Sequence, residues 1–318
     1  MNELIRTIKI KKYKCFNNLE ANNLQRVNLI SGKNNVGKTA FIEACSLVAS
    51  SKRAENFLFR LTMIEKSRDR LNMQSFGDAN VIEALQSYKK ISLESIRTIE
   101  YEIDEDSFNP TIKIKIDNLF SKIGINDKIT FQDSKNNIFI DNFGFKNREL
   151  KEVYDSVQFK DKNTQVDSFL KNFGFKNPKF KIIGNKPYLK IDDDNDYNQI
   201  NKYGDGVKHY ISIICSLYAC KDGYLFIDEI ENGIHYALYD ELWKIIFQLS
   251  KEQSVQVFAT THSKECIESY SKISQKIDDS SAAYVELGRD KQNNIKANVM
   301  SLEQLNRNLT IGNGVRGW

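Results

Sequence analysis

The clearest chemical pattern in the chain is at residues 32–39, which read Gly-Lys-Asn-Asn-Val-Gly-Lys-Thr. This G-x-x-x-x-G-K-T spacing is typical of a loop that binds phosphate groups. Its glycines allow tight backbone turns close to phosphate oxygens, while the lysine supplies positive charge and the threonine hydroxyl can bind Mg²⁺. The residues predicted to contact a bound nucleotide are Gly32, Lys33, Asn34, Asn35, Val36, Gly37, Lys38, Thr39 and Ala40.

Two carboxylates, Asp228 and Glu229, directly follow the apolar run Tyr224–Ile227. A buried strand that ends in acids is the expected counterpart of a phosphate loop, because one acid can hold the Mg²⁺. We expect Asp228 to hold Mg²⁺, directly or through water, and Glu229 to polarise the attacking water. The two roles need two carboxylates, because a metal-bound carboxylate cannot freely accept a proton. General-base assistance of this kind contributes about 10²–10⁴-fold to a rate.

His262 follows another apolar run, Val255–Thr260. At the end of a strand, an imidazole group can sense the terminal phosphate of a nucleotide. The alternative, that His262 caps a helix or packs in the core, stays open. The candidate catalytic residues are therefore Lys38, Glu229 and His262, and the candidate metal ligands are Thr39 and Asp228.

Hydrophobic periodicity predicts the elements that must position these side chains. Residues 26–31 read as a strand before the glycine loop, and residues 40–48 read as a helix after it. Further helical spacing is found at 50–94, 148–171, 209–219 and 237–249, and strand patterns at 4–10, 95–140, 186–191, 283–287 and 295–299.

The composition indicates an ordinary soluble globular protein: 318 residues, 41% hydrophobic, 28% charged, with a net charge of +4. No apolar run is long enough to span a bilayer, and the N-terminus lacks a signal-peptide core. We therefore expect a cytoplasmic protein without a membrane partner. The five cysteines are scattered and form no C-x-x-C pair, which favours reduced core packing over a metal site.

Basic side chains cluster at 9–14, 66–70 and 176–181. The net charge is too small to predict nucleic-acid binding by itself. Such clusters are more often solvated surface than a track for phosphates. Nucleic acid therefore stays an open alternative as a partner.

The phosphate loop, the acidic strand end and the later histidine, in this order, resemble the ABC-type ATPases. The closer resemblance is to the prokaryotic OLD-like and SMC-like branch. The matching segments are 30–39 for the P-loop, 226–235 for the Asp-Glu motif and 260–263 for the histidine switch. The resemblance is good over 1–50 and 200–300 and holds only in outline between them.

The resemblance implies an α/β protein with an ABC-ATPase-like P-loop fold: a mixed sheet, an antiparallel β subdomain and a helical insertion. We expect one domain over 1–318. Its nucleotide-binding core is expected to be split into 1–50 and 200–318, with 51–199 inserted as a helical and antiparallel β subdomain.

The resemblance also implies ATP and Mg²⁺ as cofactors and a homodimer formed through an ATP sandwich. Each ATP would contact the P-loop of one chain and the signature motif of the other. The corresponding signature residues are Gly204, Asp205, Gly206 and Lys208. Gly206 could expose helix amides to phosphate, but the serine of the family's motif is absent. Residues 231–233 would cross the dimer interface.

Two departures from the family pattern affect the expected function. The chain between Thr39 and Asp228 has no sustained heptads, which excludes a long SMC-type arm. OLD-like nucleases carry a TOPRIM nuclease domain after the ATPase, and since this sequence stops near Trp318 we expect no such domain. We therefore expect nuclease or toxin activity to come from a separately encoded effector protein. The Q-loop glutamine has two weak candidates, Gln74 and Gln132.

Three functions fit this pattern. The first is an ATP-hydrolysing switch whose dimeric state controls the effector in a prokaryotic, antiphage-type defence system. The second is a DNA-repair or recombination ATPase that binds nucleic acid directly. The third is a scaffold that binds ATP without hydrolysis, which the intact catalytic residues argue against. A GTPase is disfavoured because residues 201–204, Asn-Lys-Tyr-Gly, lack the aspartate of an N-K-x-D motif.

Overall fold

The structure, a computed structural model, describes residues 3–68, 84–104, 111–124, 136–192, 194–277 and 281–311. The strands are β1 (Ile8–Tyr13), β2 (Phe16–Ala21), β3 (Val27–Gly32), β4 (Lys90–Glu94), β5 (Thr98–Asp104), β6 (Thr111–Ile116), β7 (Leu119–Gly124), β8 (Asn137–Ile140), β9 (Lys179–Ile183), β10 (Lys186–Lys190), β11 (Asn198–Gln199), β12 (Tyr224–Ile227), β13 (Gln256–Thr260), β14 (Ala282–Arg289) and β15 (Ile295–Met300). The helices are α1 (Lys38–Ala49), α2 (Ala54–Arg68), α3 (Asn147–Phe159), α4 (Asn163–Asn172), α5 (Asp205–Ala219), α6 (Tyr239–Glu252), α7 (Lys264–Lys276) and α8 (Leu302–Ile311).

A central mixed sheet carries six strands in the order β15-β14-β3-β13-β12-β8. Neighbouring strands run parallel except for the antiparallel hairpin of β14 and β15. β3, β12 and β13 are buried along their whole length, as expected for parallel strands that are covered on both faces. Their carboxyl ends meet at one edge, where open α/β sheets form ligand crevices. The predicted fold class is confirmed.

A second sheet is antiparallel and covers one face of the central sheet. It begins with the hairpin of β1 and β2 and continues in the order β2-β1-β4-β5-β6-β7. Its inward side chains pack with α1 and α2 into one core. The period-two pattern is confirmed in β5 and β6, but the helix predicted to reach residue 94 is wrong there. Ile91 and Leu93 of β4 are buried at alternate positions, and β4 pairs with both β1 and β5.

Helices cover the opposite face of the central sheet, where α3 and α5–α7 contribute to the other core. Successive residues of β12 point into the two cores, since Leu225 and Ile227 belong to the helical side and Phe226 to the other. The single helix predicted over 148–171 is two helices, α3 and α4. Between them Asp161 has a φ of 53°, a left-handed conformation that does not continue a right-handed helix.

Two strands of the 51–199 segment belong to sheets that also contain strands from outside this segment. β8 pairs in parallel with β12 as an outer strand of the central sheet. β4 pairs with β1 and so extends the N-terminal hairpin. The division into a core of 1–50 and 200–318 with an inserted 51–199 stays a prediction.

A third sheet, in the order β11-β10-β9, is small and antiparallel. Phe180 and Leu189 face each other across β9 and β10 and are buried. Tyr154 of α3 packs edge-on against Phe180, with 4.9 Å between the ring centroids. From this sheet the chain continues through a 3₁₀ turn, Ile200–Tyr203, into α5.

Parts of two predicted segments lie outside the described residues, namely 69–83, 105–110 and 125–135. The patterns assigned there stay predictions. Among the helices that the structure describes, none combines the length and the apolar character that crossing a membrane requires.

Candidate nucleotide site

The predicted phosphate loop connects β3 to α1, so strand, loop and helix follow in the expected order. Gly37 has a φ of 86°, and a methyl group added there would lie 2.6 Å from Cys15 Sγ. Gly32 has a φ of 149°, and its added methyl group would lie 2.3 Å from the Leu287 carbonyl oxygen. Both positions require glycine, because a side chain would be strained and would collide with neighbours.

Lys38 lies in the first turn of α1 and turns back over the loop. Its ammonium group donates hydrogen bonds to the carbonyl oxygens of Gly32 at 2.9 Å and Lys33 at 3.0 Å. Burial lowers the pKa of Lys38, and the negative charges of Asp228 and Glu229 oppose this shift. Phosphate oxygens would be stronger, charged acceptors than these two carbonyls. The lysine is therefore placed to exchange loop carbonyls for phosphate.

Thr39 and Asp228 contact each other at the carboxyl ends of the central strands. The Thr39 hydroxyl lies 2.9 and 3.1 Å from the two carboxylate oxygens of Asp228. Thr260 of β13 also donates to this carboxylate, at 2.6 Å. Burial raises the pKa of Asp228, and the hydrogen bonds from Thr260 and Thr39 oppose the shift.

The donor set of Thr39 and Asp228 fits Mg²⁺. A hydroxyl and a carboxylate are hard oxygen ligands, and Mg²⁺ is commonly bound by one or two carboxylates together with substrate phosphates and water. Among the described residues, no group of three or more histidine, cysteine, aspartate or glutamate side chains could hold a metal by itself. The ion would therefore depend on the nucleotide for further ligands.

Glu229 immediately follows Asp228 and has a φ of 54°, in the left-handed region where non-glycine residues often mark functional positions. Its backbone amide donates to the Thr260 hydroxyl at 2.8 Å. Burial raises the pKa of Glu229 above its ordinary value, and the adjacent charge of Asp228 raises it further. The carboxylate is thus a better proton acceptor than an ordinary glutamate.

His262 faces Glu229 from the loop between β13 and α7. Its Nε2 lies 3.7 Å from Glu229 Oε1, and the backbone amide of Thr261 donates to the Ile30 carbonyl at 2.9 Å. Ser263 caps α7 by accepting from the Cys266 amide at 3.1 Å. A cavity of about 380 Å³ lies between this loop and the phosphate loop. It is lined by Ser31, Gly32, Lys33, Asn34, Thr261, His262 and Ile267.

Glu231, which the resemblance assigns to the dimer interface, has a positioning role within the chain that the sequence did not indicate. Its Oε1 accepts hydrogen bonds from the backbone amides of His262 at 2.6 Å and Ser263 at 3.1 Å. This carboxylate therefore holds the histidine loop against the Asp-Glu segment. The only sequence signal is its spacing of two residues from Glu229, which is too common to be diagnostic.

Asp141 is a second acid that the sequence did not indicate. It directly follows β8, and its negative charge adds to the effect of burial in raising the pKa of Asp228. The Asp228 amide donates to the Ile140 carbonyl at 2.8 Å, which fixes the two strand ends side by side. Both predicted Q-loop candidates, Gln74 and Gln132, lie outside the described residues.

The predicted signature residues Gly204, Asp205, Gly206 and Lys208 lie at the beginning of α5. Gly206 is buried, and a methyl group added there would lie 1.9 Å from the Gly233 carbonyl oxygen. Gly233 therefore packs against this helix start within the same chain. Among the described residues, the hydrogen bonds around Asp228 do not extend to Asp205 or Gly206.

We expect Gly206→Ala to destabilise the protein by about 1–3 kcal/mol, because the added methyl group forces the two backbones apart. In an unobstructed helix the same change would stabilise by roughly 0.5–1 kcal/mol, so the sign of the effect is informative. Urea denaturation measures it. Asp205→Ala is the matched control, since this neighbouring side chain is exposed and should change stability by less than about 1 kcal/mol. A stabilised Gly206→Ala protein would contradict the close approach.

The structure brings Lys38, Thr39, Asp228, Glu229 and His262 into one edge of the central sheet, linked by the contacts above. The chemistry available there is phosphate binding by the loop, metal binding by a hydroxyl and a carboxylate, and proton acceptance by a second carboxylate. The assignment of each role to each residue stays a prediction.

Comparison with known proteins places this geometry in a family. The family model described as "AAA domain, putative AbiEii toxin, Type IV TA system" matches residues 27–268. A Helicobacter pylori protein named "ATP/GTP phosphatase" is 22% identical over an alignment 324 positions long, which covers 83% of this chain and 87% of that protein.

Solved structures of SMC heads share the fold. The SMC head domain from Thermotoga maritima has a TM-score of 0.52 and 12% identity, covering 93% of this chain and 98% of that one. An SMC head bound to the C-terminal winged-helix domain of ScpA has a TM-score of 0.52 and 14% identity, covering 95% and 99%. The chain therefore belongs to this AAA-domain family, and it is an ABC-type P-loop ATPase with the fold of an SMC head.

Proposed function

We propose that the protein is a switch ATPase that closes as a homodimer around ATP and Mg²⁺, reopens on hydrolysis, and controls a separately encoded effector in a prokaryotic defence system. The observation that carries the proposal is the contact chain from Thr39 through Asp228 and Thr260 to Glu229 and His262. A chain of contacts of this kind would make the histidine loop and the metal site respond together to the terminal phosphate.

The proposed reaction is hydrolysis of ATP to ADP and phosphate. A water oxygen attacks the γ-phosphorus, the bond from that phosphorus to the β–γ bridging oxygen breaks, and Glu229 accepts the proton of the water. Lys38 neutralises negative charge on the terminal phosphates, and His262 contacts the γ-phosphate opposite Glu229. When bound, Mg²⁺ would be held by Thr39 and Asp228 and would neutralise charge between the β- and γ-phosphates.

The sandwich dimer is supported by the position of the signature residues. Asp205 is exposed at the start of a 15-residue helix, where backbone amides and the helix dipole favour an anion. In the proposed dimer this helix start meets the nucleotide of the partner. The exposed Asp205 carboxylate would repel the phosphates and make that contact weaker than a serine would. We therefore expect the dimer to form only while ATP is intact.

A separate effector is supported by two comparisons. The family description contains the words toxin and TA system, and such systems pair separately encoded proteins. One SMC head with this fold was solved in complex with the winged-helix domain of ScpA. An ATP-dependent dimer would present a different surface to such a partner than the open chain does.

Phosphate release from ATP at varied pH tests the proposal. The base works as a carboxylate, so the rate should fall as the pH decreases through the pKa of Glu229. Burial and the charge of Asp228 raise that pKa above the ordinary value for glutamate, and the acidic limb should therefore lie at higher pH than an ordinary glutamate would give. The measurement is kcat at saturating ATP and Mg²⁺.

A second Mg²⁺ concentration separates the two carboxylates. Protons and Mg²⁺ compete for Asp228, so a limb due to Asp228 would move to lower pH when Mg²⁺ is raised. A limb due to Glu229 should move much less, because Glu229 senses the ion only through the neighbouring charge of Asp228. Absence of phosphate release at every pH would overturn the switch ATPase and would favour the scaffold that binds ATP without hydrolysis.

A further inference from the structure

The small sheet of β9 and β10 has one buried and one exposed side. The buried side carries Phe180 and Leu189, which pack towards Tyr154 of α3. The Tyr154 hydroxyl also donates to the Phe180 carbonyl at 3.0 Å. Because this side is fixed against a helix, the alternate residues of both strands must face solvent.

The solvent side brings together lysines from both strands. The register pairs Lys190 with Lys179 and Tyr188 with Lys181, and it places Lys186 opposite Ile183. Directly opposed residues of an antiparallel pair project to the same face. We call this surface the lysine face; it consists of Lys179, Lys181, Lys186, Lys190 and Tyr188.

The lysines of this face lack carboxylate partners among the described residues. Lys190 Nζ donates to the Asn195 carbonyl oxygen at 2.8 Å, and Lys181 Nζ lies 5.0 Å from the centre of the Tyr197 ring. The opposed pair of Lys179 and Lys190 is a like-charge pair, which destabilises a sheet. This like-charge pair therefore lowers the stability of the sheet, and no carboxylate partner among the described residues offsets it.

Three of the described acids near this face, Asp167, Asp192 and Asp194, have other partners. Asp167 accepts the Phe180 amide at 2.8 Å, and burial raises its pKa although Lys179 and Lys181 oppose the shift. Asp192 accepts from the Asn177 side chain at 2.8 Å. The carboxylate of Asp194 accepts a hydrogen bond from the Tyr203 hydroxyl, and Lys202 lies 3.5 Å from it.

The large antiparallel sheet provides the contrast. There Lys113 pairs with Asp104 at 2.7 Å and Lys11 pairs with Glu94 at 2.6 Å. On β6, Lys113 lies opposite Lys122 of β7 but also opposite Glu102 of β5, so this like-charge pair has an acid beside it. The lysine face departs from that pattern, so its charge is available to an external anion.

We propose that the lysine face binds single-stranded nucleic acid. Lys179 and Lys181 are spaced by about 6.7 Å along β9, close enough for neighbouring backbone phosphates, and Lys186 and Lys190 are spaced by about 13 Å along β10 with Tyr188 between them. Tyr188 and Tyr197 lie among them, and aromatic rings beside a cationic track stack exposed bases of a single strand. A polyanion whose bases can stack matches this face better than an acidic protein surface, which offers carboxylates alone.

Fluorescence anisotropy of a labelled, mixed-sequence oligonucleotide of about 20 nucleotides tests the proposal, since single-strand sites span about 4–16 nucleotides. The full chain is used without ATP, so the result does not depend on the proposed hydrolysis. The lysine-face variant is Lys179→Gln/Lys181→Gln/Lys186→Gln/Lys190→Gln. The matched control carries the same charge change on the other sheet: Lys90→Gln/Lys113→Gln/Lys115→Gln/Lys122→Gln.

The lysine-face variant should bind at least about tenfold more weakly at 0.1 M salt, and its salt slope should be shallower by roughly 3, from four lost phosphate contacts at about 0.7 each. The control should bind within about twofold of the unmodified protein. Tyr188→Leu should weaken binding and leave the salt slope unchanged, because stacking releases no counterions. Thermal melting checks that each variant is folded.

Several outcomes would overturn the proposal. Equal losses in the lysine-face variant and the control would mean that only net charge matters. Tighter binding of a duplex of the same sequence would exclude a single-strand site. Binding of poly-L-glutamate without binding of the oligonucleotide would assign the face to an acidic protein.

Discussion

Replacement of Glu229 by glutamine is expected to lower the rate of ATP hydrolysis about 10²–10⁴-fold, the usual contribution of a general base, while ATP binding is retained. Glutamine has nearly the same shape but cannot accept the proton of the attacking water. The change also removes a negative charge beside Asp228, whose proximity raises the pKa of Glu229. Because the substitution relieves repulsion between two neighbouring carboxylates, it should not destabilise the fold.

The same variant should also accumulate as a closed dimer. With hydrolysis blocked, ATP and Mg²⁺ should convert the 36.8 kDa chain into a species of twice that mass. Light scattering after size exclusion, with and without ATP, measures this directly. The Glu268→Gln variant is the matched control, because it makes the same charge change at an exposed glutamate of α7 and should hydrolyse ATP at the normal rate without accumulating as a dimer. A Glu229→Gln protein that hydrolyses ATP at the normal rate would mean that another group is the base.

Replacement of Lys38 by alanine is expected to abolish measurable ATP binding, with a loss of at least about 100-fold. Its ammonium group donates to the Gly32 and Lys33 carbonyls, and a bound nucleotide would replace these with charged phosphate oxygens. Each hydrogen bond to a charged group contributes about 1.5–3 kcal/mol. Isothermal titration with ATP in the presence of Mg²⁺ measures the change.

The control for this variant is Lys276→Ala, which removes an exposed lysine from the last turn of α7. It should bind ATP like the unmodified protein. Lys38 is buried, so circular dichroism must show that the Lys38→Ala protein is folded. Retained ATP affinity in a folded Lys38→Ala protein would refute the role of the phosphate loop.

The edge of the central sheet was predictable because its parts are local in sequence. Lys38, Asp228 and His262 each follow a short apolar run, and parallel strands bring their carboxyl ends to one edge whatever their order. The P-loop glycines were predictable for the same reason, since the spacing of Gly32 and Gly37 is set by the loop alone.

The sequence could not predict which strands distant along the chain pair with each other. β8 is only four residues long, and nothing local shows that Asn137–Ile140 pairs in parallel with β12. Asp141 could therefore not be placed near Asp228. Glu231 reaches the histidine loop through a distant backbone contact, which no spacing rule describes.

The lysine face was hidden for a related reason. The cluster at 176–181 was visible, but its meaning depends on the register of β9 against β10. A shift of one residue would send Lys186 and Lys190 to the buried side.

The helix break at Asp161 is a local event that periodicity misses, because the apolar spacing on either side stays helical.

Tyr203 connects the third sheet to α5. Its hydroxyl lies 3.4 Å from the Leu189 carbonyl of β10 and also meets Asp194, while its ring packs edge-on against Phe175 at 5.6 Å. Two residues later the helix that carries Asp205 and Gly206 begins. The sheet that carries the lysine face and the helix start that would face ATP are thus joined through the contacts of one side chain.

Thermodynamic linkage sets the consequence of that connection. If ATP binding changes the affinity of the third sheet for its ligand through this connection, that ligand must change the affinity for ATP by the same factor. A shift worth 1.4 kcal/mol corresponds to about tenfold in each direction. Through Tyr203, binding at the nucleotide site and binding at the lysine face would then each change the affinity at the other site.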